Sequence, residues 1–277
     1  MVFVCAEIGI NHNGNLDTAK KLIDVAVDCG CDAVKFQKRT VEKVYTTEAL
    51  NAPRDSPWGK TNRDQKLGLE FSLEQYSDIG NYCKSKNIDW YFSCWDIDSQ
   101  IQMRKFDTKF NKVASAMLLH EKLLRTIAEE GKHTFISTGM STVEDITKAM
   151  NIFKEYNCPV ELMHSHSAYP MHIEEANLKL IPFLKEKFNC NVGYSGHERS
   201  SYLICVAAAV LGATSIERHI TLDRSLYGSD QAASLEPEGM KRMIRDIRNV
   251  DKILGDGKKR IWDSEVPAMK KLREVFV

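Results

Sequence analysis

Residues 2–37 read VFVCAEIGINHNGNLDTAKKLIDVAVDCGCDAVKFQ, and this stretch sets the template for the chain. Val2–Glu7 has the composition of a strand, and Leu16, Ala19, Leu22, Ile23 and Ala26 then recur on one face of a helix. Gly30 is placed to end that helix, so the close pair Cys29 and Cys31 marks a helix end followed by a strand start, and Asp32–Gln37 is the next strand. Strand, helix, strand in this order is the unit of a parallel sheet with crossover helices. Six further strands are expected at Ile88–Ser93, Phe110–Ser115, Thr134–Ser137, Val160–His164, Asn191–Ser195 and Thr214–Glu217.

Between them lie helices whose starts carry capping boxes, Ser72 with Gln75 and Ser141 with Glu144. The last helix is expected to bury Met240, Met243, Ile244, Ile247 and Leu254 and to stop at Gly255-Asp256-Gly257. Eight strands each followed by a helix predict an α/β fold of the (β/α)8 TIM barrel type over residues 1–260, with 261–277 as a tail helix. A doubly wound open sheet is the competitor, but it wants a Gly-rich phosphate turn after the first strand, and Gly9-Ile10-Asn11-His12-Asn13-Gly14 has the wrong spacing. Residues 38–70, with Pro53-Arg54-Asp55 and Pro57-Trp58-Gly59, read as one long irregular loop after the second strand, and a loop of that length suits a lid.

Bulk properties exclude several classes. Thirty-eight basic and thirty-eight acidic side chains cancel, leaving no global field to attract nucleic acid or an anionic membrane. Apolar runs such as Cys205–Gly212 fall far short of the roughly 20 residues of a bilayer span. The amino terminus lacks the basic flank and length of a signal peptide, which points to the cytosol. Eight cysteines show no CxxC pair and read as reduced core thiols.

In a barrel the reacting groups sit at the carboxyl ends of the strands, and polar residues collect there strand after strand. The first strand ends in Glu7 and runs into Asn11-His12-Asn13; the second points Lys35 and Gln37 inward and Val34 and Phe36 toward the helices. The fourth gives Lys112 and Ser115, the fifth Ser137-Thr138-Gly139, and the sixth His164-Ser165-His166-Ser167 with Tyr169-Pro170. The seventh gives Ser195-Gly196-His197 and the eighth Glu217-Arg218-His219. Inward lysines are costly unless they meet an anion, and lysines, hydroxyls and backbone amides together are what a phosphate requires. Glu217 and His219 share a face and, with His197 one strand away, suit a divalent ion with open positions. Each feature has a structural reading too: a strand-end serine caps, a histidine hydrogen-bonds, and an inward lysine pairs with Glu7 or Glu217.

The blocks Ala6-Glu7-Ile8-Gly9-Ile10-Asn11-His12-Asn13-Gly14, Val34-Lys35-Phe36-Gln37, Ser137-Thr138-Gly139-Met140-Ser141-Thr142, Gly193-Tyr194-Ser195-Gly196-His197 and Glu217-Arg218-His219-Ile220-Thr221-Leu222-Asp223 resemble, in order, those of the sialic acid synthase family. The resemblance implies condensation of phosphoenolpyruvate with an acyclic amino-sugar aldehyde, giving a 2-keto-3-deoxy nonulosonic acid and phosphate on a divalent ion, manganese above magnesium or cobalt. It implies His197 and His219 as ligands of the ion, and Lys35, Lys112, Ser115, Ser137, Ser167, Tyr169 and Ser195 around phosphoenolpyruvate. It implies acidic catalytic roles for Glu7, Glu217 and Asp230, with the proton work given to Glu7, and a homodimer. The pattern departs at Ser93-Cys94-Trp95-Asp96, where relatives carry Ser-Thr-Pro-Phe, and at Gly196, where Asp is common. The family's C-terminal antifreeze-like domain has no counterpart in the 277 residues, which leaves two expectations: Arg54, Trp58 and Arg63 of the long loop complete sugar recognition, or the substrate is a different aldose. Two other functions fit the same residues: a Schiff-base lysine aldolase using Lys35 or Lys112, and a non-catalytic sugar-phosphate binding barrel.

Overall fold

The computed structural model describes residues 1–199 and 202–273. The strand-helix template closes on itself. Strands β1 (Phe3–Gly9), β2 (Ala33–Lys38), β5 (Asp89–Cys94), β6 (Phe110–Val113), β7 (His133–Ser137), β8 (Val160–Ser165), β9 (Asn191–Gly196) and β10 (Ser215–His219) form a closed parallel barrel in the order β1-β10-β9-β8-β7-β6-β5-β2. An open doubly wound sheet is thereby excluded. All eight expected strands are present; the fourth stops at Val113, because Ser115–Met117 turns into a short 3-10 helix.

Helices α1 (Leu16–Cys29), α5 (Leu73–Ser85), α6 (Ile97–Met103), α7 (Glu121–Ala128), α8 (Val143–Glu155), α9 (Leu180–Phe188), α10 (Leu203–Val210) and α11 (Pro237–Leu254) surround the barrel. In α1 the predicted stripe is buried from Ala19 to Ala26, with Leu16 half-buried at its start, and Gly30 caps the helix at φ 85°, a left-handed conformation that glycine adopts without Cβ strain. The Ser72–Gln75 capping box is present, whereas the box at α8 is Thr142 with Asp145 and Ser141 bonds the Gly139 carbonyl instead. In α11 the buried stripe ends at Val250 rather than Leu254, which is the last residue of the helix and is exposed. All eight cysteines are free thiols.

Residues 38–70 are not an irregular loop. They fold as α2 (Val41–Val44), α3 (Thr47–Asn51), the hairpin β3 (Pro53–Ser56) with β4 (Gly59–Thr61), and α4 (Asn62–Leu69), whose start is a Thr61–Asp64 capping box. The Trp58 indole lies so close over Gly68 that a Cβ there would stand 2.1 Å from its Cγ, and its ring meets Tyr227 edge-on at 5.9 Å. Gln65 Nε2 donates to the Tyr227 hydroxyl at 3.2 Å. The segment is a built rim over one side of the mouth. After α11 comes α12 (Val266–Arg273); the expected tail helix reaches into 274–277, which lie outside the described residues.

Inside the barrel, alternation sorts the inward residues into two layers. Toward the amino ends of the strands Cys5, Ala33, Tyr91, Phe135 and Met163, with Phe3 and Phe110 beside them, form an apolar plug. Two residues further along each strand the inward positions become Glu7, Lys35, Ser93, Lys112, Ser137 and Ser165. The plug closes one end of the barrel, so chemistry is confined to the other.

Candidate active site

Most of that polar layer lines a cavity of about 160 Å³. Glu7, Lys35, Lys112, Ser115, Ser137, Ser167, Tyr169, Ser195, His197, Glu217 and His219 all face it. Strand register explains the grouping: Glu7 lies opposite both Lys35 and His219, Glu217 opposite Ser195, and Ser93 opposite Lys112. Gln37, Ser93, Trp95, Ala114, Ala116 and Met140 complete the wall.

The floor is a chain of alternating charges. Lys35 Nζ stands 3.0 Å from Glu7 Oε2 and 3.4 Å from Glu217 Oε1, and Lys112 Nζ stands 3.1 Å from Glu217 Oε2. Burial opposes charge on Lys35, but the carboxylates of Glu217 and Glu7 outweigh it and hold the ammonium above its usual pKa. Lys112 goes the other way: burial, aided by Lys35, outweighs Glu217 and pulls it down. Burial opposes charge on Glu217 as well, yet Lys112 and Lys35 hold its carboxyl well below the ordinary range. Glu217 also accepts from Ser195 Oγ at 3.2 Å, so its carboxylate is engaged by the two lysines and Ser195. Gln37 Nε2 donates to Glu7 Oε1 at 2.8 Å and Arg39 in turn holds Gln37, an orienting relay for Glu7.

Beside Lys112, after β6, β7 and β8, is a nest of hydroxyls around one backbone amide. Gly139 N–H donates to Ser115 Oγ at 3.1 Å and Ser165 Oγ at 3.0 Å. A Cβ on Gly139 would stand 2.3 Å from Ser167 Oγ and 2.8 Å from Ser115 Oγ, so a side chain there would push the hydroxyls out of the nest. Ser165 joins Ser115 and Ser167 here, though it carried no assignment; its signal was its place in the polar run after β8.

The third wall carries His197 and His219, their rings 5.7 Å apart. His197 Nδ1 bonds the His166 carbonyl, which makes Nε2 the lone-pair nitrogen, and that atom meets the Tyr169 hydroxyl at 2.8 Å. Burial first, then the neighbouring His219, pushes the His197 pKa down to about 3, so the ring is neutral. His219 Nδ1 is buried without a hydrogen-bond partner, and Asp230 Oδ2 lies 3.7 Å from it. Asp230 does not line the cavity; it stands behind His219. The His219 nitrogen without a partner and the His197 Nε2 lone pair, which the Tyr169 hydroxyl meets, fit a divalent ion that takes its remaining ligands from water or substrate. Among the described residues no three His, Cys, Asp or Glu side chains group closely enough to hold an ion by themselves.

Other strand-end polar residues are structural. Asn11 Nδ2 bonds the Ile220 carbonyl at 2.9 Å, His12 stacks on Phe71 at 4.1 Å, and His164 Nε2 bonds the Ala176 carbonyl at 2.7 Å.

Known proteins resemble this chain over most of its length. The NeuB family model matches residues 22–259. The N-acetylneuraminate-9-phosphate synthase of Mus musculus is 37% identical over 278 residues, covering 99% of this chain and 77% of that protein. The N,N'-diacetyllegionaminic acid synthase of Campylobacter jejuni is 35% identical over 282 residues, covering 99% of this chain and 84% of that protein. Among solved structures, the N-acetylneuraminic acid (sialic acid) synthetase of Leptospira borgpetersenii in complex with citrate superposes with a TM-score of 0.85 at 30% identity, covering 99% of this chain and 92% of the other. The relatives' names differ in the acid that is made.

Proposed function

The chain belongs to the NeuB family, and from that premise we propose that it condenses phosphoenolpyruvate with the open-chain form of an amino-sugar aldehyde, releasing phosphate and a 2-keto-3-deoxy nonulosonic acid. The carrying observation is one cavity with two lysines on its floor, a serine and amide nest on one wall and two histidines on another. The lysines and the nest together suit the carboxylate and phosphate of phosphoenolpyruvate. Such a substrate brings about three negative charges into a cavity whose lysines already face Glu7 and Glu217. His197 and His219 would hold a divalent ion of the manganese type, which would supply compensating charge there and polarise the aldehyde.

In this reading C3 of phosphoenolpyruvate forms the new bond to the aldehyde carbon while the aldehyde oxygen takes up a proton. Water then adds to C2, and the C2–O bond to phosphate breaks to leave the ketone. Glu7, fixed by Gln37 and standing on Lys35, is the group we assign to move the proton of that water. Glu217 sets the positions of both lysines, and Tyr169 covers the histidine wall. We extend the reading to a cytosolic homodimer on family likeness; no helix among the described residues is long and apolar enough to cross a membrane.

The test is product mass spectrometry with phosphoenolpyruvate, a panel of amino-sugar aldoses and added manganese, with a chelated control. Metal-dependent product supports the reading, and no product with any aldose removes it. A lysine aldolase deserves one control, because Lys112 is held below its usual pKa: borohydride trapping of substrate on the chain, with activity that survives chelation, would replace the metal route. Gly139→Ala is expected to raise the KM for phosphoenolpyruvate at least roughly tenfold with little change in melting temperature, since the serine hydroxyls are free to rotate away but the nest is lost.

A further inference from the structure

One loop brackets His197. Residues 166–171, which follow β8, meet it at three atoms: the His166 carbonyl accepts from Nδ1, the Tyr169 hydroxyl meets Nε2 at 2.8 Å, and the Met171 N–H donates to the His197 carbonyl at 3.0 Å. Because Nδ1 gives its proton to the His166 carbonyl, Nε2 carries the lone pair and the Tyr169 hydroxyl is the donor. The phenol ring lies over His197 with ring centroids 4.0 Å apart and meets His219 edge-on at 5.7 Å, so Tyr169 covers both imidazoles at once.

Of the three bonds only one can be exchanged without moving the chain. Two are made by backbone groups of the loop, whereas the third ends a side chain that stands at the cavity mouth and is 44% exposed. A lone pair has one occupant: Nε2 cannot accept the phenol proton and donate to a cation at the same time. His219 Nδ1, on the neighbouring ring, has no hydrogen-bond partner to give up. The two histidines are therefore unequal as ligands, one with a nitrogen left open and the other with its nitrogen closed by a hydroxyl.

Resting on the ion proposed above, we infer that the Tyr169 hydroxyl holds the place of the ion on His197 and so sets the affinity with which the ion is taken up. Loading breaks the phenol–imidazole bond and turns the hydroxyl away from Nε2. The His166 and Met171 bonds remain and keep the imidazole aimed into the cavity. Among the described residues the hydroxyl has no other hydrogen-bond partner, so once displaced it is free to bond water or substrate.

The experiment titrates manganese into the full chain by calorimetry, without substrate, for the parent, Tyr169→Phe and Tyr82→Phe. Tyr169→Phe keeps a ring over His197 and loses only the competing proton, so it is expected to bind manganese roughly three- to tenfold more tightly, the net worth of one hydrogen bond. Tyr82→Phe loses a hydroxyl bonded to Asp24, away from the histidines, and is expected to match the parent. In crystals of the parent soaked with manganese, the Tyr169 hydroxyl is expected to have left Nε2. Equal affinity in the parent and Tyr169→Phe, or a hydroxyl still on Nε2 beside a bound ion, overturns the inference alone. Weaker binding by Tyr169→Phe also overturns it, by making the hydroxyl a ligand rather than a competitor. No binding to the parent, or binding that His219→Ala leaves unchanged, overturns the histidine site and this inference with it.

Discussion

His219→Ala is expected to lower turnover by on the order of 10³-fold or more while leaving the fold intact. The two halves of that expectation have separate causes. His219 Nδ1 makes no hydrogen bond, so its removal orphans no buried donor, and the void opens into a cavity that water already reaches. Melting temperature should therefore move by only a few degrees. Function loses one of two imidazole nitrogens able to hold an ion beside the reacting aldehyde. Titration of manganese followed by calorimetry gives an independent readout: affinity should fall sharply in the variant even without substrate. A variant that turns over at near-normal rate, or binds manganese as the parent does, removes His219 from the ligand set.

Much of this was legible in the chain itself, for identifiable reasons. Strand and helix periodicities differ, and eight repeats of the β-then-α pattern left the barrel as the natural closure, which the strand order bears out. Inward alternation on β2 and β10 placed Lys35, Glu217 and His219 on the cavity. What the sequence left open are contacts made across strands. Nothing in the spacing of Glu217 and His219 says that the carboxylate turns to Lys35, Lys112 and Ser195; that depends on which strands become neighbours. Residues 38–70 were misread because their helices are four, five and eight residues long, too short for a periodicity to register. Gly196 is similar. A Cβ there would stand 2.6 Å from Glu198 Oε2 and 2.9 Å from Arg218 Cδ, so the glycine makes room for an ion pair that sequence reading had not singled out.

That pair carries the largest expected effect on stability. Arg218 and Glu198 are both fully buried and bound to one another, and each directly follows or precedes a histidine of the site, Glu198 after His197 and Arg218 before His219. Arg218 Nη2 also donates to the Glu198 carbonyl at 2.9 Å, and Glu198 Oε2 accepts from the Tyr194 hydroxyl at 3.1 Å. Removing one partner leaves the other charged with no water to solvate it, so Arg218→Met or Glu198→Leu alone should cost about 3–5 kcal/mol, a fall in melting temperature of roughly 6–15 °C. Removing both replaces the charges with apolar volume, so the double variant should recover most of the loss even though it carries more substitutions. Turnover separates stability from positioning. If the pair also sets the ends of β9 and β10, the double variant will melt near the parent yet turn over more slowly, because His197 and His219 are no longer tied through their neighbours. Single variants that melt within a degree or two of the parent would show that the charges are solvated and that the barrel end is held by its strand pairing alone.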